Sequence, residues 1–124
     1  MEDNLKNLLY VFLGGGIGSV FRYIISIKLD QELPYGTFLV NIMGCFLIGV
    51  VYGVFEKELI NNPTKILWAA GFCGGFTTFS SLILQKYQMV LKGEYLFLIT
   101  YILLSLLIGF AAVAIGFKTS KLAI

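Results

Sequence analysis

The stretch GFCGGFTTFSS, residues 71–81, lies in the middle of a long apolar run and constrains how this chain can fold. Two adjacent glycines are followed by two threonines, and glycine costs about 1 kcal/mol against alanine in a helix interior. A helix that breaks inside a membrane releases backbone carbonyls, which are tolerated only where protein or a cavity satisfies them. We predict such a break; the alternative is a kinked but intact helix whose hydroxyl side chains bond to the preceding turn.

This stretch belongs to the third of four apolar runs, each long enough to cross a bilayer, which takes roughly 20 apolar residues. The runs cover residues 8–29, 36–55, 66–85 and 95–117. Only 13% of the 124 residues are charged, whereas soluble domains have about a quarter. The chain is therefore predicted to be an all-α membrane protein, with four transmembrane helices in a single domain, residues 1–124, and no separate soluble domain.

The basic residues say little about which way the chain is inserted. One side of a four-span topology would carry five lysines, Lys6, Lys57, Lys65, Lys118 and Lys121. The other side would carry Lys28, Lys86 and Lys92, together with Arg22 if it extends that way. Because positive residues favour the cytoplasmic side, this small difference fits one weakly directed orientation or both orientations equally. Four helices make a thin bundle, so a twofold dimer is expected, and insertion in both orientations would make it antiparallel.

Polar side chains inside the other runs are candidates for function. Asn41 lies about one turn beyond Thr37 in the second run, and an amide at that depth is a functional candidate, although it could simply join two helices. Tyr101 and Ser105 lie four residues apart in the fourth run and share one helix face. Arg22 is the one charge in the first run; it is either a structural or vestibule cation or a side chain that reaches the interface.

The absence of acidic residues from the four runs weighs against several classes of function. Proton-coupled and cation-exchanging carriers usually hold a carboxylate inside the membrane, which weighs against a small multidrug-type exporter and against an acid-lined cation channel. With no histidine in the chain and no embedded acid–base pair, an enzyme is the least expected class, and no nucleic-acid partner is expected. An interior rich in hydrogen-bond donors and free of acids suits an anion or a neutral solute.

Three motifs in order along the chain resemble the Fluc family of fluoride channels, also called CrcB proteins. They are GGGIGSVFRY at residues 14–23, GTFLVNIMG at residues 36–44 and GFCGGFTTFS at residues 71–80. The resemblance implies an antiparallel, dual-topology dimer in the lipid bilayer, with two fluoride pores that export cytoplasmic fluoride passively. It also implies a multi-pass protein of the cell membrane, here expected to be a bacterial plasma membrane.

The resemblance assigns roles to individual residues as well. A structural Na+ at the centre of the dimer would be held by the backbone carbonyls of Gly74 and Thr77 of each subunit. Arg22 corresponds to the arginine of the family's first span. The expected fluoride pore would be lined by Asn41, Phe79, Ser80, Thr37, Tyr101, Ser105 and Leu82. Amide and hydroxyl groups donate hydrogen bonds to an anion, and a phenylalanine ring presents a positive edge to it.

Two positions depart from the family pattern. Leu82 stands where a second phenylalanine is usual, and Gly109 stands where the polar track of the fourth span usually continues. Such a chain is either a homodimer that tolerates both changes or one half of a heterodimer with a paralogous subunit. We expect the homodimer, because Asn41, Arg22 and Phe79 are intact. The alternative function is a small dual-topology secondary transporter, of the multidrug type or a fluoride/proton antiporter.

Overall fold

The computed structural model describes residues 2–123, which form helices and short connections without a strand among them. Four helices of the described chain are long and apolar enough to cross a membrane, which confirms the predicted fold class. They are α1 (Glu2–Leu29), α2 (Tyr35–Glu56), the interrupted helix Asn62–Leu91, called the third crossing below, and α6 (Tyr95–Ala123). Many large apolar side chains on these helices are exposed in the single chain, as expected of surfaces that face lipid or another subunit.

The helices extend beyond the apolar runs from which they were predicted. Helix α1 begins at Glu2 and α6 continues to Ala123, because polar turns at a helix end keep their internal hydrogen bonds outside the hydrocarbon. The third crossing begins at Asn62, where the Asn61 side chain accepts a hydrogen bond from the Thr64 N–H at 2.9 Å. Each predicted apolar run therefore lies within one of these helices, and the polar helix ends lie outside the runs.

The third crossing consists of four pieces. They are α3 (Asn62–Ile66), a π-helical segment (Leu67–Cys73), α4 (Gly74–Phe76) and α5 (Ser80–Leu91). Between α4 and α5 the chain is not helical, and Thr77 has extended backbone angles of φ −87° and ψ 157°. The predicted break is thus confirmed. The Thr77 hydroxyl also donates a hydrogen bond to the Cys73 carbonyl at 2.8 Å. The bond from a hydroxyl to the preceding turn, which the intact-helix alternative predicted, therefore does occur, at the residue where the helix ends.

Glycines let α1 approach the backbone of the third crossing. A Cβ atom on Gly18 would lie 2.9 Å from the Phe76 nitrogen, and one on Gly14 would lie 2.9 Å from the Phe72 nitrogen. Both distances are shorter than real Cβ contacts, so these positions accept only glycine unless a backbone moves. Helix–helix association in lipid depends on such close packing of small residues, and here it fixes the half of the third crossing that precedes the break.

Helices α2 and α6 form the other closely packed pair. A Cβ on Gly49 would lie 3.0 Å from the Phe117 nitrogen, and one on Gly116 would lie 3.1 Å from the Val50 nitrogen. The break in the third crossing lies against the middle of α2, where a Cβ on Gly44 would collide with the Thr77 side chain. The polar residues of α2 are therefore placed beside the break.

Candidate functional site

Asn41 of α2 holds the broken segment by two hydrogen bonds. Its Nδ2 donates to the Thr78 carbonyl at 3.1 Å, and its Oδ1 accepts from the Thr78 N–H at 2.8 Å. These bonds replace the helical partners that the Thr78 backbone loses at the break. Asn41 therefore joins two helices, and it uses only one of the two Nδ2 hydrogens to do so.

The break leaves the carbonyl oxygens of Gly74 and Thr77 without donors. In a continuous helix the N–H groups of Thr78 and Ser81 would donate to the carbonyls of Gly74 and Thr77, four residues earlier. Here the Thr78 N–H donates to Asn41 Oδ1 and the Ser81 N–H donates to Thr78 Oγ1 at 3.2 Å. Within residues 2–123 the Gly74 and Thr77 carbonyls accept no other hydrogen bond. Both residues were predicted to hold Na+, and free carbonyl oxygens are ligands that suit a hard cation.

Another carbonyl freed by the break is bound by Arg22. The Gly75 carbonyl would pair with the Phe79 N–H in a continuous helix, but here it accepts from Arg22 Nε at 2.9 Å and from Ser19 Oγ at 3.4 Å. The Arg22 side chain thus extends toward the third crossing and not toward the membrane interface. A charged donor on a carbonyl that has lost its helical partner stabilises the break itself.

Several of the predicted pore residues line one cleft of about 340 Å³ beside the break, called the break cleft below. Its walls include Asn41, Gly74, Thr77, Thr78, Phe79 and Leu82. The Phe79 side chain is 75% exposed in the single chain, so most of its ring lies outside the bundle. No acidic side chain lines the break cleft, and no group of three His, Cys, Asp or Glu residues in the described chain could hold a metal ion. Backbone oxygens are thus the cation ligands that this cleft offers.

Thr37 and Tyr101 lie away from the break cleft, near the connection between α1 and α2. Thr37 is almost fully buried, and its hydroxyl donates to Asp30 Oδ2 at 3.0 Å while accepting from Gln85 Nε2 at 2.7 Å. The Tyr101 hydroxyl donates to the Pro34 carbonyl at 2.8 Å. The structure therefore divides the predicted pore residues between two places along the bundle.

Ser105 and Ser80 differ in their surroundings. Ser105 Oγ is buried and has no hydrogen-bond partner within the described chain, so it is a donor available to a ligand or water. Ser80 is exposed, begins α5 and is not among the residues that line the break cleft. Gly109, one turn beyond Ser105, is buried, and a Cβ there would lie 3.4 Å from Cys45 Sγ. That is an ordinary van der Waals distance, so the contact does not require glycine at this position.

Sequence reasoning missed three features of the site. It did not predict the π-helical segment, the hydrogen bond from Gln85 to Thr37, or the burial of Lys86, whose Nζ lies 3.2 Å from the centre of the Tyr101 ring. The spacing of residues along α5 gave one indication that Lys86 would be buried. Lys86 is four residues after Leu82 and seven after Phe79, so it shares their helix face.

The chain matches known proteins along most of its length. The family model described as "CrcB-like protein, Camphor Resistance (CrcB)" matches residues 9–117. Three relatives carry the name "Fluoride-specific ion channel FluC". That of Phocaeicola vulgatus is 42% identical over 121 residues, 94% of this chain and 100% of the relative. That of Leptospira interrogans is 45% identical over 113 residues, which cover 86% of this chain and 89% of the relative. That of Gloeothece citriformis is 43% identical over 121 residues, which cover 94% of this chain and 98% of the relative.

Proposed function

The chain belongs to the CrcB family, and from that premise we propose that it is a fluoride-selective channel through which cytoplasmic fluoride leaves the cell passively. It is a multi-pass membrane protein and not an enzyme. Its relatives named above are bacterial, and we assign it to the bacterial plasma membrane. Fluoride that enters as neutral HF dissociates inside the cell, so an open pore for the anion is sufficient for export.

The observation that carries this proposal is the break cleft, which combines donors with the absence of acids. Fluoride is small and strongly hydrated, so a selective pore must replace its water with close donors. Asn41 retains one N–H beyond its bonds to Thr78, and Phe79 supplies a ring whose edge is positive. A proton-coupled carrier would use a carboxylate at this depth, and the cleft contains none. The secondary transporter is therefore not our proposal.

The same cleft supports a partner, which we propose to be a second copy inserted in the opposite orientation. A lone chain leaves the Phe79 ring 75% exposed, and a ring that faces an ion path must be enclosed on all sides. An apolar groove of about 740 Å³ between α1, α2, α6 and the third crossing also lacks cover in the single chain; Phe21, Met43, Phe72 and Ile108 are among its walls. A twofold dimer would enclose both surfaces and give two pores, one for each Phe79.

A Na+ ion at the centre of that dimer fits the freed carbonyls. Each chain would contribute the Gly74 and Thr77 oxygens, and a twofold axis beside Gly74 would bring four such oxygens together. Gly74 is exposed in the single chain, so its carbonyl is accessible to a partner. A bound cation there would attract anions to the nearby clefts and hold the two subunits together.

A paralogous subunit in place of the second copy is the alternative that Leu82 favours. Leu82 lines the break cleft without a ring edge, and a partner chain with a phenylalanine at the matching position would supply the missing contact. Gly109 does not decide between the two partners, and its ordinary contact distance of 3.4 Å to Cys45 Sγ does not explain a small residue there. The homodimer remains our proposal.

Purified protein in liposomes tests the function directly. Vesicles loaded with KF and given a voltage by valinomycin should release fluoride rapidly, and vesicles loaded with KCl should retain chloride. The flux should persist without a proton gradient and should scale with voltage. Fluoride release that requires a proton gradient would refute the channel in favour of the antiporter.

A further inference from the structure

Lys86 on α5 is buried to an unusual degree for a lysine. Its side chain is 4% exposed, and it is the one charged residue among the buried side chains of residues 2–123. The ammonium lies 3.2 Å from the centre of the Tyr101 ring and 3.8 Å from Met89 Sδ. A cation above an aromatic face is attracted to it, so Tyr101 fixes where this charge sits.

The ammonium nevertheless lacks partners for its donors. A lysine has three N–H donors, and the Met89 sulfur is a weak acceptor. No carboxylate oxygen of the described chain lies within 4.0 Å of Lys86 Nζ. Asp30 acts on Lys86 through its charge at longer range, and both of its oxygens already accept from Thr37. A buried charge without a hydrogen-bonded partner is strongly unfavourable, so an anion or water must complete this site.

Other polar groups near Lys86 in the helices also lack partners. Lys86 is one turn beyond Leu82 on the face that borders the break cleft. Ser105, one turn along α6 from Tyr101, has a buried hydroxyl without a partner. Gln85 Oε1, on the residue before Lys86, is also buried without a partner, and buried polar groups that lack protein partners are usually satisfied by ordered water. A positive charge and an unpaired hydroxyl together favour an anion over a cation.

We propose that the Lys86 ammonium is an anion-binding site of the conduction path, located between the break cleft and the connection of α1 to α2. Its ligand is a small, strongly hydrated monovalent anion, and the assignment of that anion as fluoride rests on the proposed channel function. A fixed positive charge in a narrow path raises the local concentration of anions and excludes cations. Lys86 thus supplies, one turn further on, an attraction for the ion that the side chain of Leu82 cannot provide.

Fluoride flux from liposomes tests the site with a matched pair of lysines. Lys86→Met keeps the length of the side chain and removes its charge; Lys92→Met removes the charge of an exposed lysine at the same end of the bundle. We expect Lys86→Met to lower voltage-driven fluoride flux about tenfold or more, the factor carried by a charge-assisted hydrogen bond. Lys86→Arg should stay within severalfold of the wild type, and Lys92→Met should match it. Unchanged or faster flux through Lys86→Met overturns the proposal.

A binding measurement separates this inference from the channel function. Thermal unfolding is followed in detergent while NaF replaces sodium gluconate at constant Na+. The wild type should melt at higher temperature as fluoride increases, and Lys86→Met should lose most of that shift. A wild type that binds fluoride but does not conduct it refutes the channel and keeps the anion site. An equal shift in both proteins refutes the site. If Lys86→Met does not fold, Lys86→Gln takes its place in both measurements.

Discussion

Asn41 is the residue on which both the break and the cleft depend. One amide group supplies the acceptor and the donor that the Thr78 backbone loses, at 2.8 and 3.1 Å. In hydrocarbon these two backbone groups would otherwise have no partner. The amide is suited to this role because it presents both a donor and an acceptor, which a carboxylate or an alkyl group does not.

Asn41→Asp should therefore fold and conduct poorly. The aspartate keeps an oxygen for the Thr78 N–H, loses the donor to the Thr78 carbonyl and adds a negative charge beside the path of an anion. We expect fluoride flux to fall about tenfold or more, since hydrogen bonds to charged groups contribute about 1.5–3 kcal/mol. Liposome efflux measures the effect, with Asn62→Asp, exposed at the start of α3, as the control. Normal conduction by Asn41→Asp would remove Asn41 from the pore.

Arg22 acts on the backbone of the third crossing, by its bond to the Gly75 carbonyl. Arg22→Gln removes a charge-assisted bond and should lower the free energy of unfolding by about 1.5–3 kcal/mol. Lys28→Gln, an exposed change at the end of α1, should leave stability unchanged. Melting temperature in detergent measures both. A variant that keeps its melting temperature but loses flux would instead make Arg22 a vestibule charge.

Among the elements, the third crossing is the one that departs from regular helix, and α1 explains how it is held there. The π-helical segment and α4 lie against Gly14 and Gly18 at distances that exclude any side chain. A π-helical turn offsets the backbone by one residue, which changes the face that the following residues present. The glycines of α1 and the break are therefore parts of one packing arrangement.

A pair of glycines on α1 tests this arrangement. A Cβ on Gly18 would meet the backbone of Phe72 and Phe76, whereas one on Gly16 would meet nothing within 4 Å. Gly18→Ala should destabilise the protein by about 1–3 kcal/mol through overpacking. Gly16→Ala should be neutral or stabilise it by up to about 1 kcal/mol, because alanine is the better helix former. The melting temperatures of the two variants measure this difference. Equal values would mean that α1 does not pack tightly against the third crossing.

At the scale of the whole molecule, a single chain is incomplete in two respects. Its apolar groove and the Phe79 ring lack cover, and the Gly74 and Thr77 carbonyls at the break lack donors. A second copy would cover the groove and the ring, and together with a cation it would satisfy the carbonyls. The proposed oligomer and its proposed ion would therefore be properties of the assembly and not of the isolated fold.

Removal of Na+ should weaken that assembly. If Na+ binds the folded dimer alone, its presence at 100 times its dissociation constant stabilises the dimer by about 2.7 kcal/mol. Replacing NaCl with N-methylglucamine chloride at equal ionic strength should lower the melting temperature and shift the dimer toward smaller species on size-exclusion chromatography. KCl should restore little of the loss, because a small cage of carbonyls discriminates between cations. A melting temperature independent of the cation would refute the Na+ site.

The sequence predicted most of the fold because a bilayer leaves few alternatives. Apolar runs of sufficient length gave the four crossings, and the Gly74–Gly75 pair followed by Thr77 and Thr78 gave the break. The polar helix ends were missed because a run of apolar residues marks only the hydrocarbon. The π-helical segment, Leu67–Cys73, was missed because its residues are ordinary for a transmembrane α-helix and only packing against α1 distinguishes it.

The composition and order of residues by themselves determined that this chain lies in a membrane, crosses it four times, breaks in the third crossing and belongs with fluoride channels. Tertiary structure decided which polar groups meet there. It joined Asn41 to Thr78, left the Gly74 and Thr77 carbonyls free, and buried Lys86 under Tyr101. The reason is physical: hydrophobicity is a property of each residue and adds along the chain, whereas a hydrogen bond depends on two groups whose separation only the folded chain sets.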